Sequence, residues 1–452
     1  MDAEHSDSTT KDVKMSDSVD TSRNNSAVQS ESHKSELSWR SVSALCGSAL
    51  AYFITVGFIN AYGVFQQYYT AHYLPTYSNF QISWIGAFAN FMVFACAVPA
   101  GILADRFGPT IPILIGCILE AVAIFMISLC REYYQFFLAQ AVLLGVGMSF
   151  IAIPTSTIVP LYFERNRGLA QGLSIAGSSL GGIVWPITLD QMLNKDNLSF
   201  GWTMRIIGFV LLPLMAIVLL TVRKPIPTAS ASYPVGAAVQ QEEKGEANTT
   251  KKVKKDLTPL KQPPFILLCI GLAIAYFGFF TPLYYIPVYA ATSLRKSEDF
   301  AFHLVSILNA ASMCGRVIPG FLADHYLGHF NTLAISATIS GVVTFCWTTA
   351  TSSAGLVVWV VAYGFTSGAI LSLQLACATV LTTERPELRG TAVGLTLASV
   401  SLTGLFGPPI AGELVERGYF ALAAFAGAAL LAGGVLLGMA RWTKKAGIWV
   451  KV

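Results

Sequence analysis

The sequence predicts an all-α membrane protein with twelve transmembrane helices in two pseudo-symmetric six-helix bundles. Its composition is 54% hydrophobic and 12% charged, and twelve long apolar runs fill almost everything after residue 40. A soluble domain carries roughly a quarter charged residues, so the solvent of this chain must be lipid. Because the runs are continuously apolar rather than alternating, they predict helices and not a barrel.

Each apolar run is long enough to supply the about 20 residues that cross roughly 30 Å of hydrocarbon. The predicted helices cover residues 42–66, 82–104, 109–130, 134–160, 168–192, 203–222, 264–290, 301–323, 332–351, 354–381, 390–415 and 418–440. The first predicted bundle is therefore 41–222, and the second is 264–441.

Two internal repeats relate the bundles to each other. Arg-Gly-x-Ala-x-Gly-Leu occurs at Arg167 and again at Arg389, 222 residues later. The run "GILADRFG" from Gly101 is repeated as "GFLADHYLG", so that Asp105 matches Asp324 at an offset of 219. A membrane chain that repeats itself in parallel at half its length is typical of secondary transporters, whose substrate sits between the halves.

The distribution of Lys and Arg predicts that both chain ends are cytosolic. In that orientation 22 of the 29 basic residues lie inside and 5 lie in outside loops, as the positive-inside rule requires. The net charge of +4 is thus a topology signal and does not indicate nucleic acid. We expect a multi-pass plasma-membrane protein with a disordered cytosolic tail at 1–40, a cytosolic linker at 223–263 and a second cytosolic tail at 442–452. Asn197 is a candidate glycosylation site in an outside loop.

The repeated loop motif predicts a gate on the cytosolic side. Gly101 lets another helix approach closely, and Asp105 can face the positive end of the helix that starts after Arg389. The second copy offers the mirror pairing of Asp324 with the helix that starts at Arg167. These contacts would exist only while the cytosolic side is shut; the alternative is that both aspartates are solvated loop charges. The candidate gating residues are Gly101, Asp105, Arg106, Arg167, Asp324 and Arg389.

Gly-x-x-x-Asp-Arg-x-Gly between the second and third helices resembles the defining loop of the major facilitator superfamily, although the usual basic residues after it are absent. The run Tyr162 to Gly182 resembles the helix 5 signature of the monocarboxylate porter family, with Asn166 and Ser174 as departures. The tail, the linker and the small-residue patterns resemble fungal members. The resemblance implies a major facilitator fold in which two halves rock around a central cavity.

Arg316 is the strongest candidate for substrate binding. It lies in the predicted helix 301–323, roughly 10 Å from its cytosolic end at 1.5 Å per residue, where a permanent cation costs about 2.5–3.5 kcal/mol. A guanidinium suits a carboxylate bidentately, and the resemblance implies a substrate and coupling role for an arginine in this helix. The alternative is a structural pair with Glu120 or with another buried carboxylate. Further predicted substrate-binding residues are Asn60, Tyr285, Asn309 and Gln374.

Three other charged residues are candidates for proton or pairing sites. Glu120, near the middle of the third helix, is either a proton carrier or a neutral, hydrogen-bonded packing residue. Asp190 and Arg205 flank an outside loop and either pair as an outer latch or sit at the water boundary. Animal monocarboxylate porters carry an aspartate and a lysine where this chain has Ser312 and Asn60, so the resemblance implies an incomplete coupling pair.

The chain shows no nucleotide-binding loop, metal-ligand spacing or catalytic constellation, which predicts neither an enzyme nor a cofactor or metal site. The predicted function is secondary active transport of a small acidic organic solute by a monomer, driven by protons. The incomplete coupling pair and a ring-rich cavity wall favour efflux of a secondary metabolite. One alternative is proton-coupled uptake of a monocarboxylate or a related nutrient. Another is a non-transporting receptor, against which the persistence of Asp105 and Asp324 argues.

Overall fold

The computed structural model describes residues 38–196, 198–225 and 257–444. Nearly all of the predicted N-terminal tail, most of the predicted linker and most of the predicted C-terminal tail lie outside these residues. The candidate glycosylation site Asn197 lies outside them as well.

Eleven helices in the described ranges are long and apolar enough to cross a membrane, and a helix of 17 residues completes the set. In chain order they are α1 (Trp39–Tyr73), α2 (Phe80–Phe107), α3 (Thr110–Ile127), α4 (Tyr133–Tyr162), α5 (Arg167–Leu193), α6 (Phe200–Thr221), α7 (Pro263–Thr292), α8 (His303–Leu327), α9 (His329–Phe345), α10 (Ser353–Leu381), α11 (Pro386–Glu416) and α12 (Tyr419–Lys444). The predicted fold class, twelve spans in two halves, is confirmed. We call α1–α6 the first half, α7–α12 the second half, and the side on which α1 begins and α12 ends the terminal face.

Each half packs around a cluster of aromatic rings. In the first half, Tyr69 of α1 contacts Phe136 of α4 and Phe200 of α6, with centroid distances of 4.3 and 5.6 Å. In the second half, Trp347 after α9 stacks on Trp359 of α10 at 5.3 Å. Burial of Tyr69 explains why α1 continues to Tyr73, seven residues past its predicted end.

The outer surface of the bundle is apolar. Large aliphatic and aromatic side chains are exposed along α3 and α6 in the first half and along α9 and α12 in the second, for example Ile118, Phe209, Val342 and Val435. Contiguous apolar surface of this extent is not stable in water. These four helices therefore face lipid, and they hold equivalent positions in the two halves.

The helices α1 and α7 are interrupted at corresponding points. The regular parts of α1 are Trp39–Ile54, Val56–Ile59 and Tyr62–Tyr68, and α7 breaks between Pro263–Phe279 and Thr281–Thr292. Interrupted membrane helices in corresponding positions of two repeats are the best structural indicator of a binding site near the bilayer midplane.

Candidate substrate site and gate

At the terminal face, Asp105 of α2 binds the start of α11 in the other half. Its Oδ1 accepts a hydrogen bond from the backbone N–H of Gly390 at 2.7 Å, and its Oδ2 accepts from the N–H and the hydroxyl of Thr391 at 2.8 and 2.6 Å. The carboxylate therefore satisfies free backbone donors at the positive end of a helix. Gly101 makes the approach possible, since a Cβ built on it would collide with the carbonyl oxygen of Gly390.

The second copy of the motif makes the mirror contact. The Oδ1 and Oδ2 atoms of Asp324 accept hydrogen bonds from the backbone N–H groups of Gly168 and Leu169 at 2.8 and 2.7 Å, at the start of α5. Asp324 has an additional partner, because Nε2 of His329 lies 3.0 Å from its Oδ1. The corresponding position after Asp105 is Thr110, so the two contacts are alike in their backbone bonds and differ in this histidine.

The arginines of the predicted gate are placed differently from one another. Arg167 crosses to the second half, where its Nη1 donates to the hydroxyl of Thr383 at 2.8 Å. Arg389 is only 5% exposed, and its Nε and Nη1 have no hydrogen-bond partner within the described ranges. Arg167 and Arg389 lie close enough to repel each other. Arg106 is exposed and lies over the ring of its neighbour Phe107 at 5.1 Å, so the structure does not bring it to the contact between halves.

Arg316 lies further from the end of its helix than the sequence predicted. A π-helical turn, Ala323–Leu327, extends α8, so that Arg316 is 11 residues from the end of the helix. That is about 16 Å along the helix axis at 1.5 Å per residue. The side chain is 4% exposed.

The guanidinium of Arg316 crosses from the second half to the first. Its Nη1 donates to the carbonyl oxygen of Ile175 at 2.7 Å and to the hydroxyl of Ser178, both on α5. The Nε is buried without a partner among the residues described. None of the ion pairs in the described part of the chain involves Arg316. The cation is thus held by neutral acceptors alone.

A polar cluster from both halves surrounds this cation. The phenols of Tyr52 and Tyr276 lie beside Arg316, and Tyr276 donates a hydrogen bond to Oε1 of Gln374 at 3.1 Å. The hydroxyl of Ser156 lies near the phenol of Tyr52. The cluster therefore draws on α1, α4 and α5 of the first half and on α7, α8 and α10 of the second. It lies where the two halves meet, which is the position expected for a transported solute.

The predicted asparagines form a second polar cluster, about 10 Å along α8 from Arg316 on the side away from the terminal face. Oδ1 of Asn309 and Nδ2 of Asn60 both approach Gly182 of α5, at 2.9 and 3.0 Å from the position that a Cβ would occupy there. Asn309 is two helical turns before Arg316 and shares its face of α8. Tyr285 lies apart from both, because its hydroxyl donates to the carbonyl oxygen of Pro408 at 2.8 Å within the second half.

Glu120 lies away from this cluster. It is fully buried in α3 and packs against α4, where Gly147 leaves room for its backbone. Neither carboxyl oxygen has a hydrogen-bond partner among the described residues. The alternative in which Glu120 pairs with Arg316 is therefore not what the structure shows, and neither is a hydrogen-bonded packing role.

The predicted latch between Asp190 and Arg205 requires a correction. Oδ2 of Asp190 lies 3.7 Å from Nζ of Lys195, since the π-helical turn Gln191–Lys195 brings the lysine back over the aspartate. Arg205 instead lies over the ring of Trp202, 5.2 Å from its centroid.

Sequence reasoning missed Tyr52, Ser156 and Ser178. Each is a polar residue inside a long apolar run, and such residues usually return a hydrogen bond to their own helix. Ser178 shows the difficulty, because it donates to the carbonyl oxygen of Ile175 as well as contacting Arg316. The only available signal was for Tyr52, which shares its helix with the predicted binding residue Asn60.

Twelve spans in two related halves, a buried polar cluster at their boundary and reciprocal carboxylate contacts at one face define a membrane transporter. The Major Facilitator Superfamily model matches residues 41–408, and the chain belongs to this family.

Three fungal proteins are similar to this chain over most of its length. It is 44% identical over 407 residues to an MFS-type transporter of Aspergillus fumigatus, covering 90% of this chain and 93% of the relative. It is 42% identical to the agnestins efflux protein AgnL12 of Paecilomyces divaricatus, covering 94% and 93%, and 35% identical to the aspyridones efflux protein apdF of Emericella nidulans, covering 86% and 75%.

Among solved structures, the E. coli fucose:proton symporter FucP matches with a TM-score of 0.62 at 14% identity, covering 88% of this chain and 98% of that one. At this identity the match supports the fold alone.

Proposed function

We propose that this transporter exports an acidic secondary metabolite from the cytosol and that Arg316 binds the anionic group of the substrate. The direction is supported by the relatives that are named efflux proteins for agnestins and aspyridones. The substrate chemistry is supported by a single observation, a buried guanidinium between the two halves without a carboxylate partner in the described part of the chain.

The desolvation of Arg316 explains why its partner should be an anion. A cation at the bilayer centre costs at least about 2.5–3.5 kcal/mol, and neutral oxygen acceptors compensate for less of this than a carboxylate does. Nη1 is engaged by Ile175 and Ser178, whereas Nε has no partner. A substrate carboxylate could accept two parallel hydrogen bonds from the planar guanidinium of Arg316.

Binding of that anion would change the contact between the halves. In the present arrangement Arg316 connects α8 to α5 through Ile175 and Ser178. A carboxylate that takes over the guanidinium competes with these two acceptors and so weakens a link between the halves at mid-membrane. Substrate binding and the rocking of the halves would then be coupled by one side chain.

The two aspartate contacts are the proposed gate. We assign the terminal face to the cytosol from the distribution of Lys and Arg, so the structure represents a state closed to the cytosol. For this face to open, Asp105 must leave the start of α11 and Asp324 must leave the start of α5. The repulsion between the neighbouring Arg167 and Arg389 opposes closure, which keeps the closed state from being too stable to reopen.

Protons are the proposed coupling ion, and the proposed unit is a monomer in the plasma membrane. The resemblance of α5 to the monocarboxylate porter family supports the alternative direction, uptake of a monocarboxylate. Export and uptake both require the cation of Arg316. A transport assay must therefore test the direction of flux and the role of Arg316 separately.

The experiment uses the full chain in liposomes with a proton gradient, with acidic and neutral aromatic metabolites as substrates. Arg316→Lys and Arg316→Gln should each lose at least about tenfold of the flux of an acidic substrate, since one charge-assisted contact contributes about 1.5–3 kcal/mol. Arg417→Gln, which removes an exposed arginine, should be unaffected. Normal acidic-substrate flux in both Arg316 variants would refute the site, and flux only into the compartment that corresponds to the cytosol would refute export.

A further inference from the structure

Gln171 of α5 carries a buried amide that takes no part in the cluster around Arg316. The side chain is fully buried, and neither its Oε1 nor its Nε2 has a hydrogen-bond partner among the described residues. Gln140 and Gln374, the other buried glutamines in the described ranges, each accept a hydrogen bond from a tyrosine. Because a buried amide without partners is destabilising, the arrangement that is closed at the terminal face leaves Gln171 at a free-energy cost.

Gln171 lies on the face of α5 that is turned towards the second half. The helix is regular over this stretch, and residues spaced by four and by seven share one face of a helix. Four residues before Gln171, Arg167 donates a hydrogen bond to Thr383 of the second half. Seven residues after it, Ser178 contacts Arg316. Gln171 is therefore placed between the gate and the cation, about 10 Å along α5 from Ser178 at 1.5 Å per residue.

The glycines on either side of Gln171 pack against α8. The backbone N–H of Gly168 donates to Asp324, and a Cβ built on Gly172 would collide with the carbonyl oxygen of Arg316. Opening of the terminal face breaks the first of these contacts and moves this stretch of α5 away from α8. Gln171 would then line the cavity that opens to the cytosol, between the mouth of that cavity and Arg316.

The repeated motif shows that packing does not require an amide at this position. Arg-Gly-x-Ala-x-Gly-Leu contains Gln171 in α5 and Val393 in α11, 222 residues later. Val393 is also fully buried. The glycine that follows each of them, Gly172 or Gly394, lies against a backbone carbonyl of the other half. An apolar side chain thus fills the equivalent position in the second copy, and the amide of Gln171 is a feature of one copy alone.

We propose that Gln171 binds a hydroxyl group of the acidic solute when the protein is open to the cytosol, while Arg316 binds the carboxylate; this inference rests on the proposed function. A hydroxyl group can donate to Oε1 of the amide and accept from Nε2, so it satisfies both atoms that lack a partner in the closed state. The substrate class is then a hydroxylated acid whose hydroxyl lies at the opposite end of the molecule from its carboxylate. A site that bonds a hydroxyl discriminates against the analogue that lacks it.

The test compares the binding of para-hydroxyphenylpropionate and phenylpropionate, which differ by one hydroxyl group, to the purified full chain. One neutral hydrogen bond changes affinity about two- to twelvefold, so the unmodified chain should bind the hydroxylated acid more tightly by this factor. Gln171→Met, which nearly keeps the shape of the side chain, should bring the ratio of the two dissociation constants close to one. Gln171→Leu is a second apolar replacement. Gln140→Met, at a buried glutamine bonded to Tyr69 within the first half, is the matched control and should keep the ratio.

Arg316→Gln separates this inference from the proposed function. It should weaken the binding of both acids by a similar factor and leave their ratio unchanged, because it removes the contact with the carboxylate that they share. Equal binding of the two acids by the unmodified chain, a ratio that persists in both Gln171 variants, or an equal loss of the ratio in Gln140→Met would overturn the hydroxyl contact. A ratio lost in Gln171→Met, with unchanged binding of both acids in Arg316→Gln, would support the hydroxyl contact and overturn the assignment of Arg316. Thermal unfolding of each variant confirms that it is folded.

Discussion

Replacing Asp105 by asparagine should shift the protein away from the state that is closed at the terminal face. The carboxylate accepts three hydrogen bonds from Gly390 and Thr391. An asparagine has a single acceptor oxygen, and its amide N–H₂ would face backbone donors. At least one bond is therefore lost, and the others change from charged to neutral.

The structure sets the size of this effect. Hydrogen bonds to a charged group contribute about 1.5–3 kcal/mol each, and neutral ones about 0.5–1.5 kcal/mol. Loss of one bond and weakening of the rest should cost the closed state roughly 2–4 kcal/mol, which is roughly a 30- to 700-fold shift in the equilibrium between closed and open.

The measurement is the distance distribution between spin labels on either side of the gate, at Arg165 and Glu384. Both positions are exposed, and they flank the contact between Arg167 and Thr383. The labels require a background in which the eight free cysteines are replaced. Asp105→Asn should move the main population to longer distances, whereas Asp196→Asn, an exposed aspartate away from the gate, should not. An unchanged distribution in Asp105→Asn would refute the reasoning.

Two further predictions concern close packing and the isolated carboxyl group. Gly101→Val should prevent closure of the terminal face while leaving the halves folded, because the valine side chain would meet the carbonyl oxygen of Gly390 in the other half. Spin-label distances as short as those of the unmodified chain would contradict this prediction. Glu120→Gln should change proton-driven flux by less than about twofold if Glu120 stays neutral through the transport cycle, since the amide has nearly the same shape as the carboxyl group. Loss of the response to a proton gradient, with substrate binding intact, would instead make Glu120 a proton carrier.

The contacts of Asp105 and Asp324 could be predicted from the sequence, because the duplicated chain contains the same motif twice. One aspartate near a helix end has many explanations, but Asp105 and Asp324 at equivalent positions require one that applies to both. Capping of a helix start in the other half is such an explanation. The structure shows it, because the backbone N–H groups of Gly390 and Gly168 donate to Asp105 and Asp324, respectively.

The contacts within the polar cluster around Arg316 could not be predicted from the sequence. The distance of Arg316 from the end of α8 depends on where that helix ends, and a π-helical turn extends it to Leu327. The partnership of Arg316 with Ser178 depends on the relative rotation of two helices from different halves. The same limit applies to Asp190, whose choice of Lys195 over Arg205 is set by another π-helical turn. Hydrophobic periodicity carries no information about such local changes in helical winding.

The pseudo-symmetry of the fold allows the backbone packing of Arg316 to be compared with that of the equivalent residue in the first half. A Cβ built on Gly172 of α5 would collide with the carbonyl group of Arg316 and lie near Cα of Val317. In the other copy, a Cβ on Gly394 of α11 would meet the carbonyl group of Ala97 in the same way.

Arg316 and Ala97 therefore hold equivalent positions, 219 residues apart, and make equivalent backbone contacts. A methyl group satisfies the packing at one position, so the packing does not require a guanidinium at the other. The symmetry counterpart therefore shows that the guanidinium is dispensable for this backbone contact, and the buried cation is consistent with the proposed binding of an anion. We therefore expect Arg316→Gln to fold, and a loss of transport in a folded Arg316→Gln would support the proposed contact with the solute.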